Sequence, residues 1–283
     1  MSGKSPIELY LEQQRILTGA EVFVSADIPD YAEYAEYGND VPAVEVEQRT
    51  ALSNTLNAPV SASQDLHNSQ YSQHITQDDM KKTTKWQNAD SLPVLEQSIC
   101  TCTKCSLAET RTKFVFGSGN PHADIVVIGE APGADEDASG LPFVGRAGQL
   151  LTKILESVNF SREEVFICNI LKCRPPNNRR PLPEEVDLCE PFLFKQLELI
   201  QPKFILALGL TAVDTLLRDK HKMADIRGSF FSYRDVRMLV TYHPAALLRN
   251  PEWKRAAWED IKLLRRSYDE YKSTGRLPDM RPL

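Results

Sequence analysis

The chain has 283 residues, of which 42% are hydrophobic, and a formal net charge of −6. These values are ordinary for a globular protein that has one large domain, or one domain plus an appendage, and that buries a real core. No run of about 18 apolar residues occurs and the first residues lack the apolar segment of a signal peptide, so we expect a soluble, cytoplasmic protein with no membrane contact.

The N-terminal third differs in charge from the rest of the chain. Residues 1–90 hold 14 acidic and 6 basic residues, a balance of −8, so residues 91–283 carry +2. Helical spacing of apolar residues predicts a short amphipathic helix within residues 1–20. The acidic, then Ser/Asn/Gln-rich residues 21–90 predict a flexible linker. A helix on such a linker is suited to recruiting a protein partner of unknown identity, and we expect the folded domain over residues 91–283.

Residues 91–283 alternate strand and helix patterns. Four short apolar segments predict buried strands at 125–129, 165–168, 204–208 and 238–241. Helical patterns lie between them at 148–158, 183–199 and 211–217. Because parallel neighbours need long crossover connections, this rhythm predicts an α/β fold in which helices cover both faces of a four-stranded parallel sheet.

Polar side chains follow three of these strands directly. Glu130, Asn169 and His243 stand at the strand ends, and the loop after the first strand also carries Phe143. Because ligands of open α/β sheets bind beyond the carboxyl ends of the strands, these side chains predict a site at that edge. The alternatives are that Phe143 packs in the core and that His243 is a structural hydrogen-bonding residue.

All six cysteines lie between Cys100 and Cys189. Such clustering in a reducing compartment favours metal or catalytic use over disulfides. Four thiolates suit either tetrahedral zinc or an iron–sulfur cluster, and spacing does not decide between them. Cys100 competes with Cys102 as a ligand, Cys168 reads as a buried small residue, and four unrelated free cysteines are the remaining alternative. The ligand candidates are Cys102, Cys105, Cys173 and Cys189.

Three segments carry a family resemblance: GEAPGADEDASGLPFVGRAGQLL at 129–151, NILKCRPPNNRRPLPEE at 169–185 and HPAALLR at 243–249. In this order and at these intervals they resemble the family 4 uracil-DNA glycosylases, over about residues 95–270. The resemblance implies a three-layer α/β/α sandwich and a [4Fe-4S] cluster on the four cysteines named above. It also implies hydrolysis of the N-glycosidic bond of deoxyuridine in DNA, for base excision repair, by a monomer that acts at the nucleoid.

The resemblance assigns roles within the uracil site. It implies that Phe143 stacks on a flipped uracil, that Asn169 reads the uracil edge and that His243 donates a hydrogen bond near O2. Glu130 matches an acid that positions water or stabilises the positive sugar. Pro132 and Gly133 of the same loop complete the predicted uracil-binding set, and Glu136 and Asn178 are alternatives for activating water.

The DNA contacts expected from the same comparison lie in two segments. The rigid basic loop between the second pair of cysteines offers Arg174, Arg179 and Arg180 to phosphates. After the His motif, Leu247 and Leu248 suit a wedge beside Arg249, unless the two leucines belong to a helix core. Backbone amides at 117–121 and 145–148 are further phosphate-binding candidates.

Two other functions fit the same residues. One is a relative that binds the abasic product covalently through a histidine after the second motif, but residues 169–185 contain no histidine. The other is a non-catalytic DNA-binding or polymerase-associated module that keeps the fold and cluster. The presence of Glu130, Phe143, Asn169 and His243 together favours the enzyme.

Overall fold

The computed structural model describes residues 85–282. The predicted helix within residues 1–20 and the predicted linker as far as residue 84 lie outside the described residues. Residues 85–90, which were assigned to the linker, are part of the packed domain: Trp86 contacts Phe192 edge to face, with ring centroids 5.0 Å apart, and Ala89 is buried. The domain therefore includes residues before 91. Within the described part of the chain, no helix has the length and apolar character needed to cross a membrane.

The central sheet has six strands in the order β1-β3-β2-β4-β6-β5. They are β1 (Ser118–Gly119), β2 (Ile125–Gly129), β3 (Phe166–Asn169), β4 (Phe204–Leu208), β5 (Phe230–Tyr233) and β6 (Val236–Thr241). The four predicted strands are the central ones and run parallel, but β1 and β5 add antiparallel pairs at the two edges. The predicted four-stranded parallel sheet is therefore a mixed six-stranded sheet. The 117–121 segment proposed for phosphate forms β1, because Ser118 pairs with Ile167.

Nine α-helices occur in residues 85–282: α1 (Leu92–Ile99), α2 (Leu107–Thr110), α3 (Ala134–Ser139), α4 (Arg146–Glu156), α5 (Pro183–Ile200), α6 (Leu210–Leu217), α7 (Met223–Ile226), α8 (Pro244–Arg249) and α9 (Lys254–Thr274). Short 3-10 turns lie at Trp86–Asn88, Pro176–Asn178 and Pro251–Trp253. The three predicted helices correspond to α4, α5 and α6 with ends shifted by at most two residues. α9 ends where Gly275 adopts a left-handed conformation, which a residue without a Cβ adopts readily.

Alternate residues of each strand point to opposite faces of the sheet, so the strands supply two apolar cores. Val126 and Ile128 pack in one cluster with residues of α1, α5 and α6. Ile125 and Val127 pack in the other with residues of α4, α8 and α9. Helices therefore cover both faces, as expected for an α/β fold whose central strands are buried on both sides.

The carboxyl ends of the central strands are fixed side by side. Gly129 of β2 is paired with Asn169 of β3, and Thr241 of β6 with Leu208 of β4. The Thr241 hydroxyl donates to the buried Asp260 carboxylate at 2.9 Å, which anchors the end of β6 to α9. The residues that follow these strands start from a rigid edge.

Candidate active site

Asn169 and Phe143 lie together directly over the end of β2. A Cβ added to Gly129 would lie 2.3 Å from Asn169 Oδ1 and 2.6 Å from Phe143 Cζ, so only glycine leaves room for both side chains. Asn169 is 2% exposed, and its Oδ1 has no hydrogen-bond donor among the described residues. Leaving a buried acceptor unpaired costs about 1–3 kcal/mol. The amide oxygen is therefore poised for a donor from outside the chain.

His243 lies beside Phe143, with ring centroids 5.6 Å apart and planes at 34°. It caps α8, because the Ala245 N–H donates to His243 Nδ1 at 3.1 Å. Burial, with a smaller effect from Arg249, lowers the pKa of His243 to about 4. The imidazole is therefore neutral near pH 7, and its proton is on Nε2 because Nδ1 is an acceptor.

A glycine fixes the approach of His243 to the sheet. Gly209, the cap residue between β4 and α6, has a φ of +87°. A Cβ there would lie 2.9 Å from His243 Cβ. The Gly209 N–H also donates to the Thr241 carbonyl at 2.8 Å. The end of β4 and the start of the His motif are thus held in contact.

Glu130 follows β2 and is half-buried at the same edge. Burial raises the pKa of Glu130 above its ordinary value, whereas the charge of Arg180 and a hydrogen bond from Thr211 lower it. Thr211 belongs to the first turn of α6, and Arg180 is an exposed residue of the basic loop. The Glu130 carboxylate is therefore close enough to the Arg180 guanidinium, which comes from the separate basic loop, to be affected by its charge.

The backbone at Phe143 is clamped from two sides. Phe143 has a φ of +52°, a left-handed conformation that is costly for a large side chain. Arg162 donates to the carbonyls of Pro142 and Phe143 at 2.9 and 3.1 Å. On the other side, Glu136 Oε1 accepts the N–H groups of Val144 and Gly145 at 3.0 and 3.3 Å. Arg162 lies alone in a loop and matches no motif, so no sequence signal identified it.

Glu136 also binds the loop that follows β2. Its Oε2 accepts the Gly133 N–H at 3.0 Å, so one carboxylate joins this loop to the Phe143 loop. Both oxygens are occupied by backbone groups, which corrects the suggestion that Glu136 activates water. The Gly133 and Gly145 N–H groups, expected to face uracil and phosphate, are engaged by Glu136. Pro132 is buried beside them.

One of the arginines of the basic loop that were expected to bind phosphate is instead paired with a carboxylate of the protein. Arg179 makes a two-point ion pair with the buried Glu185 carboxylate, with contacts of 2.5 and 2.9 Å, at the start of α5. Its guanidinium is therefore committed to Glu185, whose carboxylate also accepts the Leu182 N–H at the start of α5, and is not a free phosphate ligand. Arg174 Nε donates to Asn178 Oδ1 at 2.8 Å on the exposed 3-10 turn. Arg180 is exposed, and its charge, not that of Arg179, acts on Glu130.

The two leucines after the His motif separate into core and surface. Leu247 is 1% exposed and packs in the core shared by α4 and α9, so the prediction that it is a wedge is wrong. Leu248 is 38% exposed, and Arg249 is exposed beside it. Because α8 is a helix, successive leucines necessarily point in different directions. Only Leu248 retains the exposure that a wedge requires.

The candidate cysteine ligands lie near two basic residues, Arg111 and Lys172, on the sheet face covered by α1 and α5. Arg111 donates to Cys173 Sγ at 3.3 Å and to the Cys102 carbonyl at 2.6 Å. The Lys172 N–H donates to Cys189 Sγ at 3.3 Å. Burial raises the pKa of Cys189 to about 12. Cys105 acts electrostatically on both Cys173 and Cys189, so the two pairs are neighbours in space.

The buried Lys172 joins this region to the uracil-reading candidate. Its ammonium donates to the Asn169 carbonyl at 2.7 Å and to Gln196 Oε1 at 2.6 Å, and Gln196 donates to the Phe116 carbonyl at 2.9 Å. Sequence reasoning missed Lys172, although a lone lysine between apolar residues and a cysteine is itself a signal for a buried amine held by hydrogen bonds. In the part of the chain that the structure describes, no group of three or more Cys, His, Asp or Glu side chains is arranged to hold a metal ion.

Comparison with known proteins places this geometry in a family. Residues 116–262 match the sequence model of the Uracil DNA glycosylase superfamily. The Type-4 uracil-DNA glycosylase of Archaeoglobus fulgidus is 42% identical over 181 residues, covering 61% of this chain and 91% of that protein. The Type-4 uracil-DNA glycosylase of Thermotoga maritima is 43% identical over 175 residues, covering 60% and 91%.

The chain belongs to the type-4 uracil-DNA glycosylases. The superfamily match spans Glu130, Phe143, Asn169 and His243, so it contains the site at the strand ends. Cys102 and Cys105 precede the match, and the first 84 residues lie beyond it and outside the described residues. The type-4 membership thus concerns the folded domain.

Proposed function

We infer that this chain removes uracil from DNA in base excision repair. In the reaction, the bond between C1′ of the sugar and N1 of uracil breaks and its electron pair leaves with the base. Water adds its oxygen to C1′, one of its protons ends on the released uracil, and an abasic site remains. The observation that carries the inference, together with the family membership, is the buried, unpartnered Asn169 Oδ1 beside Phe143 and His243.

Base recognition requires that the nucleotide leave the duplex, at a cost of a few kcal/mol. Phe143 offsets part of this cost, because stacking of a base on an aromatic ring is worth about 1–3 kcal/mol. Its ring lies beside both Asn169 and His243, so a base that contacts those two side chains also lies against Phe143. Pro132 and Gly133 form the adjacent wall of this uracil site.

Asn169 supplies specificity. Uracil presents a donor at N3 and an acceptor at O4, which match the Asn169 Oδ1 acceptor and its Nδ2 donors. Cytosine has an unprotonated N3 and an amine at C4, so both contacts would place like groups together. The unpaired Asn169 Oδ1 strengthens this discrimination. Uracil donates a hydrogen bond to this buried oxygen and removes the cost of leaving it unpaired, whereas cytosine does not.

His243 stabilises the leaving group. Negative charge builds on uracil as the glycosidic bond breaks, and the neutral imidazole donates from Nε2 to the uracil O2. Because Nδ1 is fixed by the Ala245 N–H, the tautomer is set before substrate arrives. A preorganised donor acts without reorganisation at the moment of reaction.

Glu130 acts on the sugar side. The sugar becomes oxocarbenium-like as the base departs, and a nearby carboxylate stabilises its positive charge and orients the incoming water. Burial raises the pKa of Glu130, and the charge of Arg180 and the hydrogen bond from Thr211 counter that rise in favour of the ionised form that this role requires.

The DNA strand is held by groups around this pocket. Leu248 fills the space that the flipped nucleotide leaves, and Arg249 beside it binds phosphate. Arg174 and Arg180 of the basic loop bind further phosphates.

Cys102, Cys105, Cys173 and Cys189 would hold a [4Fe-4S] cluster. The chemistry of the donor set suits such a group, because four thiols from three segments are neighbours and two of the sulfurs accept N–H bonds, from Arg111 and from the Lys172 backbone. Iron binding removes the thiol protons that burial otherwise retains. When bound, the cluster supplies iron–thiolate bonds that tie the Cys102–Cys105 turn to the basic loop and to α5.

The function is tested by excision from single-stranded oligonucleotides that contain one uracil or one cytosine at the same position, followed by alkaline cleavage. The full chain is expected to cut at uracil and not at cytosine. Asn169→Asp removes the amide donors and adds acceptors suited to the cytosine amine, so both the rate on uracil and the preference for uracil should fall. A full chain that binds the oligonucleotide but leaves uracil in place would contradict the proposed function.

A further inference from the structure

A stacked pair of aromatic rings lies next to the proposed active site and has no role in the mechanism above. Tyr242 and Trp253 have ring centroids 4.9 Å apart and planes at 25°. Tyr242 is the residue immediately before His243, whereas Trp253 follows α8 on the 3-10 turn Pro251–Trp253. The segment 242–253 carries the His motif and the proposed wedge, and this ring contact joins its first residue to its last.

The inner ring of this pair is firmly supported. The Arg227 guanidinium lies 5.9 Å from the Tyr242 ring centroid. Arg227 is itself fixed by the buried Asp260 carboxylate, at 2.9 and 3.2 Å, and by the Ala256 carbonyl. Since Asp260 also accepts a hydrogen bond from Thr241, the same carboxylate anchors the end of β6 and the arginine that contacts the Tyr242 ring. Trp253 therefore rests on a rigid support.

The outer ring is unusually exposed for its type. Of the three tryptophans in the chain, Trp258 is 4% exposed and Trp86 packs edge to face on Phe192. Trp253 is 37% exposed, close to the 38% of Leu248 five residues earlier. Arg249, which is also exposed, lies between them in the chain. An apolar side chain, a cation and an aromatic face thus follow one another on the segment after His243.

We propose that Trp253 is a nucleobase-stacking site that binds a base flanking the flipped uridine. Flipping leaves the neighbouring bases without one stacking partner, and a supported indole face offers a replacement that tolerates any base. The ligand class is thus an unstacked nucleobase of the uracil-containing strand, held beside the pocket and not within it. The inference rests on the proposed function, because it takes DNA as the substrate.

The first test is a titration of the full chain with a single-stranded oligonucleotide that carries a non-hydrolysable deoxyuridine analogue, monitored by tryptophan emission. Stacking on a base is expected to quench Trp253 in the parent. Trp253→Phe should bind with nearly the parent affinity but lose that quench, whereas Trp253→Ala should bind about 5- to 150-fold more weakly. Trp86→Phe, a matched control away from the strand-end edge, should keep both the quench and the affinity.

A second arm changes the DNA and leaves the protein fold untouched. Oligonucleotides that lack the base 5′ or 3′ to the uridine analogue are bound by the parent and by Trp253→Ala. For one of the two positions, removing the base should weaken binding by the parent but add nothing to the defect of Trp253→Ala. Additive losses at both positions, or an unchanged affinity of Trp253→Ala, would show that the ring pair only packs the protein. Absence of uracil excision by the parent would instead count against the proposed function.

Discussion

At the scale of single residues, the strand-end pattern predicted which polar side chains form the proposed site but not their protonation states. The order of motifs predicted that Glu130, Asn169 and His243 lie at one edge, and the structure brings both Asn169 and His243 close to Phe143. That His243 is neutral depends on its burial and on the Ala245 N–H, which are tertiary contacts. Likewise, the exposed Arg180 and the paired Arg179 are indistinguishable in sequence, since only the position of Glu185 separates them.

The lowered pKa of His243 predicts a pH dependence of stability. Its ordinary pKa is about 6.5 and its folded pKa is about 4, so between these values the unfolded chain binds the proton more strongly. The contribution is present above pH 6.5 and is lost as the pH falls toward 4. Between pH 7 and pH 5 the loss from this residue is about 2 kcal/mol by the linkage relation.

Chemical denaturation of the parent and of His243→Asn at the two pH values measures this contribution. Asparagine keeps an acceptor for the Ala245 N–H, so it removes the titration and retains the cap. The parent should lose about 2 kcal/mol more than His243→Asn on acidification. Equal losses would mean that His243 titrates in the folded protein at its ordinary pKa.

At the scale of elements, periodicity located α4, α5, α6 and the central strands, because all of them depend on local burial patterns. It gave no prediction for α9, the 21-residue helix Lys254–Thr274. β1 and β5 were missed. β1 has two residues and pairs only through its backbone, and β5 lies at an edge beside a tight turn with left-handed residues at Arg234 and Asp235. Leu247 was misassigned because the motif alone does not reveal which side of α8 faces the core.

The clamp on the Phe143 loop predicts coupling between two side chains. Arg162→Met removes the bonds to the carbonyls of Pro142 and Phe143, so the ring loses its fixed position. Stacking supplies about 1–3 kcal/mol, so kcat/KM for uracil excision should fall by up to about 5- to 150-fold. In a Phe143→Ala background, the same change should have little further effect. Single-turnover kinetics of the parent, both single variants and the double variant measure the coupling; additive losses would assign Arg162 to general stability.

The cysteine arrangement predicts a cluster that also shapes the basic loop. The full chain, prepared without oxygen, should contain about four iron atoms and about four acid-labile sulfides. Cys173→Ser should lower both and loosen residues 174–182, which hydrogen exchange would detect. Cys168→Ser is the matched control, because this buried thiol belongs to β3 and is no proposed ligand. Stoichiometric zinc without iron in the parent would contradict the assignment.

At the scale of the whole molecule, the charge asymmetry predicts that the N-terminal segment is dispensable for catalysis. Residues 1–84 hold 13 acidic and 5 basic residues, and all proposed site residues lie in 85–282. A chain that begins at Lys85 should fold and excise uracil at the parent rate, with equal or tighter DNA binding at low salt because acidic residues oppose phosphate. If that chain unfolds at the parent temperature but has lost most of its excision activity, the segment takes part in catalysis.

The most direct measurement of the central claim is the single-turnover rate of uracil excision by His243→Ala and His243→Asn, with the dissociation constant for uracil-containing DNA determined in parallel. If His243 stabilises the departing base, both variants should slow the chemical step by about 10²–10³, with little change in affinity. Because His243→Asn retains the helix cap, the same loss in both variants assigns the effect to the Nε2 donor. Excision at the parent rate, or binding weakened as much as cleavage is slowed, would contradict the account.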